Sequence, residues 1–143
     1  MFIKQLSIFA ENKPGRLVAI IDALAENNID ISALSIADTT DYGIVRMIVN
    51  NPELAVDSLK KIGVFVKITN VIAVTIEDTP GGLAKSLHNI TDRGIEINYM
   101  YAFVGKISGK AIMVLKVSDP EEAIEILKNS NIEMLSAKDV YRL

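Results

Sequence analysis

Apolar residues recur along the chain in short runs that alternate between two periods. The runs "FIKQLSIFA" at residues 2–10 and "VIAVTI" at 71–76 are rich in β-branched or aromatic residues and are bounded by turn residues, which is typical of strands. Each run leads through a Pro-Gly pair into a segment with apolar residues three or four positions apart, which predicts a helix. These apolar positions are Leu17, Ile20, Ile21 and Leu24 in the first segment and Leu83, Leu87 and Ile90 in the second. We expect Pro14 and Pro80 in the first helical turn, where no N–H is needed.

The remainder of each half follows one order. Residues 29–37 and 44–49 flank the polar turn "DTTDYG", and "IEINYMYAFV" and "AIMVLKV" flank "GKISGK", so both pairs predict β-hairpins. A second helix is predicted at "NPELAVDSLKKI" and at "DPEEAIEILKN", where Asn or Asp precedes Pro and acidic residues occupy the first turn. Final strands are predicted near "VFVKI" and "EMLSAKDVYRL". Both halves therefore have the order β-α-β-β-α-β.

The two halves are copies of one unit. The first Pro-Gly turn recurs 66 positions later, and the same offset matches Gly43 with Gly109. Pro52 matches Pro120 at an offset of 68, which predicts two additional residues between Gly109 and Pro120. The order within each copy predicts an α+β protein of two ferredoxin-like domains, 1–68 and 69–143, each an antiparallel sheet with both helices on one face. Because only two residues separate the copies, we expect the domains to pack side by side.

Composition narrows the class of protein. The 143 residues carry a net charge of -3 and include no Cys and a single His. The absence of Cys excludes disulfides, thiolate nucleophiles and Cys-based metal sites. Scattered cations on an acidic chain do not predict nucleic-acid binding, and no apolar run of about 18 residues predicts a membrane span. With no signal peptide recognisable at the N-terminus, we expect a soluble, cytoplasmic protein.

No set of residues predicts catalysis, a metal site or a cofactor. His88 has no second His, Cys or convergent acid at ligand spacing, and its position predicts a surface residue off the apolar stripe of its helix. The segment "GKISGK" has three residues between its glycines instead of the four of a phosphate-binding loop, which favours a hairpin turn. The segment "DTTD" lacks the Gly and the distal Glu of a calcium loop. We expect a protein that is not an enzyme.

The residues around both turns resemble those of ACT domains, which are small ferredoxin-like modules that bind amino acids and regulate metabolic enzymes. The stretch "ENKPGRLVAIIDALAENNIDISALSIADTTDYGIVRMIV" resembles the first domain of the small regulatory subunit of acetolactate synthase, and "DTPGGL" with "GIEINYMYAF" resembles a more generic ACT domain. That subunit would carry a different second domain, so the chain is identified as a tandem ACT-domain protein. The resemblance implies amino-acid binding, a homodimer and a partner enzyme of amino-acid metabolism, and it hints at a branched apolar ligand.

A Pro-Gly turn that leads into a helix presents backbone N–H groups that suit a carboxylate. The resemblance places the ligand between this turn and a neighbouring domain, in contact with the start of the second strand. The glycines are expected to let a ligand approach the backbone, and the second site is expected to be more open because Gly82 replaces Arg16. The predicted ligand-binding residues are Asn12, Gly15, Arg16, Leu17, Ser32, Asp78, Gly81, Gly82, Leu83 and Asn98.

Two alternatives remain at this stage. Asn12 and Asp78 could satisfy the first N–H groups of their helices, with no ligand present at either turn. The chain could also be a ligand-free ACT-like adaptor, or a regulatory subunit of an amino-acid-metabolism enzyme, that uses the fold only to hold a partner.

Overall fold

The structure is a computed structural model of the chain and describes residues 2–38 and 41–142, so Thr39 and Thr40 of the predicted turn "DTTDYG" lie outside the described residues. It divides into two compact units. The first unit comprises Lys4–Thr69 with Tyr141 and Arg142, and the second comprises Asn70–Val140 with the start of the chain through Ile3. The described elements confirm the predicted α+β class.

The first unit contains four strands and two helices. They are β1 (Ile3–Glu11), α1 (Arg16–Glu26), β2 (Ile31–Asp38), β3 (Tyr42–Val49), α2 (Pro52–Lys61) and the beginning of β4 (Phe65–Glu77). Strand β3 pairs in antiparallel fashion with β1 on one side and β2 on the other, and β4 adjoins β1. Alternate residues of β1 and β3 face α1 and α2, and all of these elements contribute to one apolar core. Both helices therefore lie on one face of this sheet.

The second unit repeats this arrangement. It contains the end of β4, α3 (Gly82–Thr91), β5 (Ile97–Ile107), β6 (Lys110–Val117), α4 (Pro120–Lys128), β7 (Met134–Leu135) and a short helix α5 (Ala137–Val140). Strand β6 pairs with β5 and β4, and β4 pairs with β7, all in antiparallel fashion. The apolar positions predicted on α1 and α3 face their cores: Ile20 and Leu24 are fully buried and Ile90 is 1% exposed. In the described part of the chain, no helix is long and apolar enough to span a membrane.

Strand β4 differs from the prediction. The sequence predicts two strands separated by Thr69 and Asn70, whereas the structure has one strand of 13 residues. Neither residue forces a turn, and the Thr69 hydroxyl lies 2.9 Å from the Ser7 hydroxyl of β1, which holds the backbone in the sheet. The strand contributes its first residues to one unit and its last residues to the other.

The two additional residues of the second copy lie earlier than predicted. Gly43 is opposite Ala10 on β1, but the residue opposite the equivalent Ile76 on β4 is Ala111 and not Gly109. The offset between the copies is therefore already 68 at the start of β6. The extra residues form an irregularity in β5 between Ala102 and Lys106, in which Val104 is 80% exposed.

The hairpin predicted at "GKISGK" is confirmed. Ile107 pairs with Lys110 across a two-residue turn. Ser108 and Gly109 both have positive φ, of 48° and 75°, as a type I′ turn requires.

The C-terminal segment also differs from the prediction of a final strand over "EMLSAKDVYRL". Strand β7 is only two residues long, and α5 begins directly after it. The Ser136 hydroxyl accepts a hydrogen bond from the Asp139 backbone N–H (3.2 Å), and the Asp139 carboxylate accepts one from the Ser136 backbone N–H (3.3 Å). This reciprocal pair is a capping box, and its Ser-x-x-Asp spacing was visible in the sequence.

Candidate functional site

Helices α1 and α3 start in the same way. Their N-cap residues, Gly15 and Gly81, have left-handed backbone conformations with φ of 81° and 82°, and as glycines they provide no side-chain cap. Pro14 and Pro80 lie one residue before these caps, so their predicted place in the first helical turn is wrong: helical dihedral angles begin only after the left-handed glycine. The first helical bonds run from Ala19 to Gly15 and from Lys85 to Gly81, both 3.0 Å.

Helices α2 and α4 start differently. The side chains of Asn51 and Asp119 accept hydrogen bonds from Leu54 N–H (3.2 Å) and Glu122 N–H (3.1 Å). At α1 and α3 the N-cap residues are instead Gly15 and Gly81, and Asn12 and Asp78 lie three residues before them, so capping by these two side chains stays a prediction. The N-cap residues of α1 and α3 thus leave the first-turn N–H groups as donors that can bind an anion.

The polar groups of the first turn bind one another. The Asn12 side chain donates to the Asp38 carboxylate (3.2 Å), and the Asn12 backbone N–H donates to the Asp41 carbonyl (3.0 Å). Glu11 and Lys13 form an ion pair of 2.7 Å, and the hydrogen bond from Lys13 lowers the pKa of the Glu11 carboxyl. Asn12 is thereby held against the β2–β3 hairpin, and its amide is already engaged within the protein.

The second turn has a different backbone path before its helix. A Cβ atom on Gly82 would lie 2.2 Å from the carbonyl oxygen of Glu77, so this position is glycine because the protein's own backbone occupies the space. In the first turn the equivalent carbonyl, that of Glu11, accepts a 2.8 Å hydrogen bond from Lys13 N–H, and Arg16 has room for its side chain. No atom of the described residues lies within 4 Å of a Cβ built on Gly15 or Gly81, so both N-cap glycines face open space.

A groove of about 650 Å³ lies beside the second turn. We call it the second-turn groove; its walls come from the end of β4, the turn, the outer side of α3, the start of β6 and the loop after α4. Of the ligand-binding residues predicted for the second copy, Gly81 and Gly82 line the groove, whereas Asp78, Leu83 and Asn98 do not. Its charged and amide groups were not predicted from the sequence; they are Glu77, Lys85, Asn89, Arg93, Lys110, Asn129 and Asn131. The spacing of four between Lys85 and Asn89 was the available signal, because it places them on one side of a helix; Arg93, four residues further, follows the end of α3.

The other predicted residues have local roles in the described structure. Leu17 packs against the core of the first unit, and Leu83 lines a small apolar cavity of about 10 Å³ beneath α3. Ser32 and Asn98 each occupy a β-bulge, where the register of β2 and β5 shifts by one residue. Ser32 is 8% exposed and Asn98 is exposed. A bulge changes the direction of the side chains on its strand. Because both copies have a bulge here, Ser32 and Asn98 occupy equivalent positions in the fold as well as in the repeat.

His88, the single histidine of the sequence, lies on the surface. The His88 side chain is 70% exposed, and its Nδ1 lies 3.2 Å from the Asp92 carboxylate one turn later, as expected of a surface residue. Among the described residues, no group of three or more His, Cys, Asp or Glu could hold a metal ion.

Solved structures of similar fold cover nearly the whole chain. Protein BT0572 from Bacteroides thetaiotaomicron is 42% identical, with a TM-score of 0.93 over 100% of this chain and 98% of that one. The regulatory subunit of aspartate kinase from Thermus thermophilus is 15% identical, with a TM-score of 0.63 over 90% of this chain and 91% of that one. The corresponding subunit from Thermus flavus is 16% identical, with a TM-score of 0.59 over 88% and 90%. At such identities the two kinase subunits show the fold alone.

Sequence comparison gives the family. No curated protein matches the chain. A family model described as an ACT domain pair matches residues 1–143, which is the entire sequence. The duplicated β-α-β-β-α-β order and the two Pro-Gly turns agree with this match, and the chain belongs to the family of ACT domain pairs.

Proposed function

We propose that the protein is a non-catalytic regulatory protein that binds a free amino acid at its Pro-Gly turns. The observation that carries the proposal is the start of α1 and α3, where a left-handed glycine replaces a side-chain cap and the neighbouring space is open. The first-turn N–H groups and the positive end of the helix dipole would hold the ligand carboxylate. The contrast with the capped helices α2 and α4 supports this use, because the same chain caps a helix where no ligand is proposed.

The ligand would act by changing the arrangement of the two domains or the affinity for a partner. It can do so only to the extent that it binds two arrangements with different affinity. The partner would be an enzyme of amino-acid metabolism, in line with the fold shared with regulatory subunits of aspartate kinase, and the working unit would be a homodimer of side-by-side domains. No catalytic role is proposed for any residue.

A thermal-shift screen of the whole chain against the twenty amino acids tests the proposal. A ligand at 100 times its dissociation constant stabilises a protein by about 2.7 kcal/mol, which corresponds to roughly 5 to 10 °C for a chain of this length. We expect one chemical class of amino acid to raise the midpoint by several degrees. The absence of a shift with all twenty at millimolar concentration would contradict amino-acid binding.

Paired glycine variants locate the binding. Gly81→Asp would add a carboxylate beside the proposed carboxylate site and should abolish the ligand-induced shift at the second turn. Because any side chain at φ of 82° is strained, Gly81→Ala is the matched control: it has the same backbone strain without the charge. Gly15→Asp and Gly15→Ala give the corresponding pair at the first turn. A ligand shift that survives both aspartate variants would exclude the turns as the binding sites.

One observation favours the adaptor as a second candidate. Phe9 and Phe65 are 41% and 68% exposed, and their ring centroids lie 5.6 Å apart on adjacent strands of the first unit. Tyr42, which is 58% exposed, lies on the next strand. Exposed aromatic groups of this kind are enriched at protein interfaces. A negative amino-acid screen, combined with partner binding that Phe65→Ser abolishes, would favour the adaptor.

A further inference from the structure

The second-turn groove has a local charge opposite to that of the chain. The cations Lys85, Arg93 and Lys110 line it together with one carboxylate, that of Glu77, which gives a local charge of +2. The whole chain carries -3. Among the described residues, no carboxylate lies within 4.0 Å of the charged nitrogens of these three cations. The residues that line the groove therefore carry a net positive charge.

The cations come from three separate parts of the unit. Lys85 lies on α3, Arg93 follows the end of that helix, and Lys110 begins β6. Lys110 is placed beside the turn by its pairing with Glu77 across the sheet. Two neighbouring side chains bind the backbone of α3: Ser86 donates to the Gly82 carbonyl (3.1 Å) and Asn89 to the Lys85 carbonyl (3.2 Å). Both bonds join residues of α3 that line the groove.

The first copy lacks this charge at the equivalent positions. At the offset of 66, Lys85, Asn89 and Arg93 correspond to Ala19, Ala23 and Asn27. Lys110 corresponds to Tyr42, since both are paired with the glutamate that ends the first strand of their copy. The cations are thus specific to the second turn and do not follow from the fold, which is common to both copies.

The groove offers a counterpart for each charged group of an acidic amino acid. Such a ligand has two carboxylates and one ammonium group. The start of α3 and one cation suit the α-carboxylate, the remaining cations suit the side-chain carboxylate, and Glu77 suits the ammonium group. A neutral or apolar side chain would leave two cations of the groove without an anionic partner.

We propose that the second-turn groove selects acidic amino acids, aspartate or glutamate, through Lys85, Arg93 and Lys110. This inference rests on the proposed function and specifies the ligand class of one of its two sites. The first turn, which lacks these cations, does not share the selectivity.

Calorimetric titration of the whole chain at low ionic strength tests the selectivity. The ligands are L-aspartate and L-glutamate, their neutral analogues L-asparagine and L-glutamine, and succinate and inorganic phosphate as anions without an ammonium group. We expect the acidic amino acids to bind about tenfold or more tightly than their amides. Raised salt should weaken binding of the acidic ligands more than binding of the amides.

Charge-neutralising variants connect the selectivity to the groove. Lys85→Gln and Arg93→Gln should each weaken binding of the acidic amino acids about tenfold and leave the amides nearly unchanged. Lys138→Gln removes one positive charge from α5, outside the groove, and should change neither. Lys85→Arg retains the charge and should retain affinity, and the thermal midpoint of each variant without ligand verifies folding.

The outcomes separate the two proposals. If no amino acid binds, the proposed function and this inference both fail. If a neutral amino acid binds as tightly as its acidic counterpart, or if the glutamine variants bind the acidic ligands normally, the inference fails and the proposed function stands. If succinate or phosphate binds as tightly as aspartate and with the same dependence on Lys85, the groove is an anion site without selectivity for amino acids, and the inference is again overturned.

Discussion

At the first Pro-Gly turn the chain binds its own polar groups to one another, whereas at the second turn polar groups border a groove. Asn12 is hydrogen-bonded to the β2–β3 hairpin, and Lys13 neutralises Glu11. At the second turn Thr79 replaces Lys13, and Glu77 lines the groove together with three cations. The N-cap glycines of the two turns nevertheless have φ angles that differ by only one degree.

Both copies keep the backbone conformation at the start of the helix, whereas the side chains around it differ between the copies. The start of the helix depends on a positive φ that only glycine adopts at low cost, so both copies retain it. Side chains around that backbone can change without changing the fold, because they extend into open space or into the groove. Two turns with one backbone can therefore offer different chemistry to a ligand.

The largest loss of stability is expected when alanine replaces Gly82, because the backbone paths of the two turns differ at this position. Gly82→Ala would place a Cβ 2.2 Å from the Glu77 carbonyl oxygen and should destabilise the protein by about 2 kcal/mol. Arg16→Ala, its counterpart, should change stability by less than about 0.5 kcal/mol. Urea unfolding of both variants measures the contrast, and equal stabilities would mean that the two turns have the same backbone path.

A smaller effect, equal in the two copies, is expected at the N-cap glycines. Gly15→Ala and Gly81→Ala meet no atom within 4 Å but force alanine into the left-handed region, at a cost of about 1 to 2 kcal/mol each. Unfolding by urea should give the same loss for both variants. A loss of stability in only one of the two variants would contradict the expectation that both helix starts require a positive φ.

A comparable effect on stability, but none on ligand binding, is expected at the capped helices. Asn51→Ala and Asp119→Ala remove the caps of α2 and α4 and should each cost about 1 kcal/mol. Ligand-induced thermal shifts should persist in both variants, since neither cap lies at a Pro-Gly turn. Loss of the shift in either variant would move the site away from the turns.

The smallest effect is expected from the ion pair that closes the first turn. Because the pKa of Glu11 is lowered in the folded protein, its contribution is present at pH values above the unfolded pKa and is lost as the pH falls through the folded pKa. Both partners are at least half exposed, so Glu11→Gln should lower the midpoint by less than about 1 °C at pH 7. The difference should decrease as the pH falls from the unfolded pKa of Glu through the lower folded pKa. Thermal scans from pH 3 to pH 7 check it, with Glu77→Gln as the counterpart in the second turn; a difference that does not decrease toward pH 3 would contradict the assigned cause.

Much of the fold follows from local patterns. Apolar spacing located α1 and α3, the Asn-Pro and Asp-Pro pairs located α2 and α4, and the glycines of "GKISGK" located the turn between β5 and β6. The errors lie where pairing partners decide the outcome. Thr69 and Asn70 continue a strand because β1 supplies a partner, and the insertion of the second copy was misplaced because strand register is set by the opposite strand.

The candidate site was likewise predictable only where local patterns set the structure. The sequence alone predicted the family, the duplication and a helix after each Pro-Gly turn, but it placed the prolines inside the helices, whereas the structure begins them after the glycines. Only the tertiary structure decided that Gly82 accommodates the Glu77 carbonyl and that Lys110 joins Lys85 and Arg93 around one groove. Lys110 is distant along the chain from Lys85 and Arg93, and its proximity to them depends on strand pairing that no local pattern encodes.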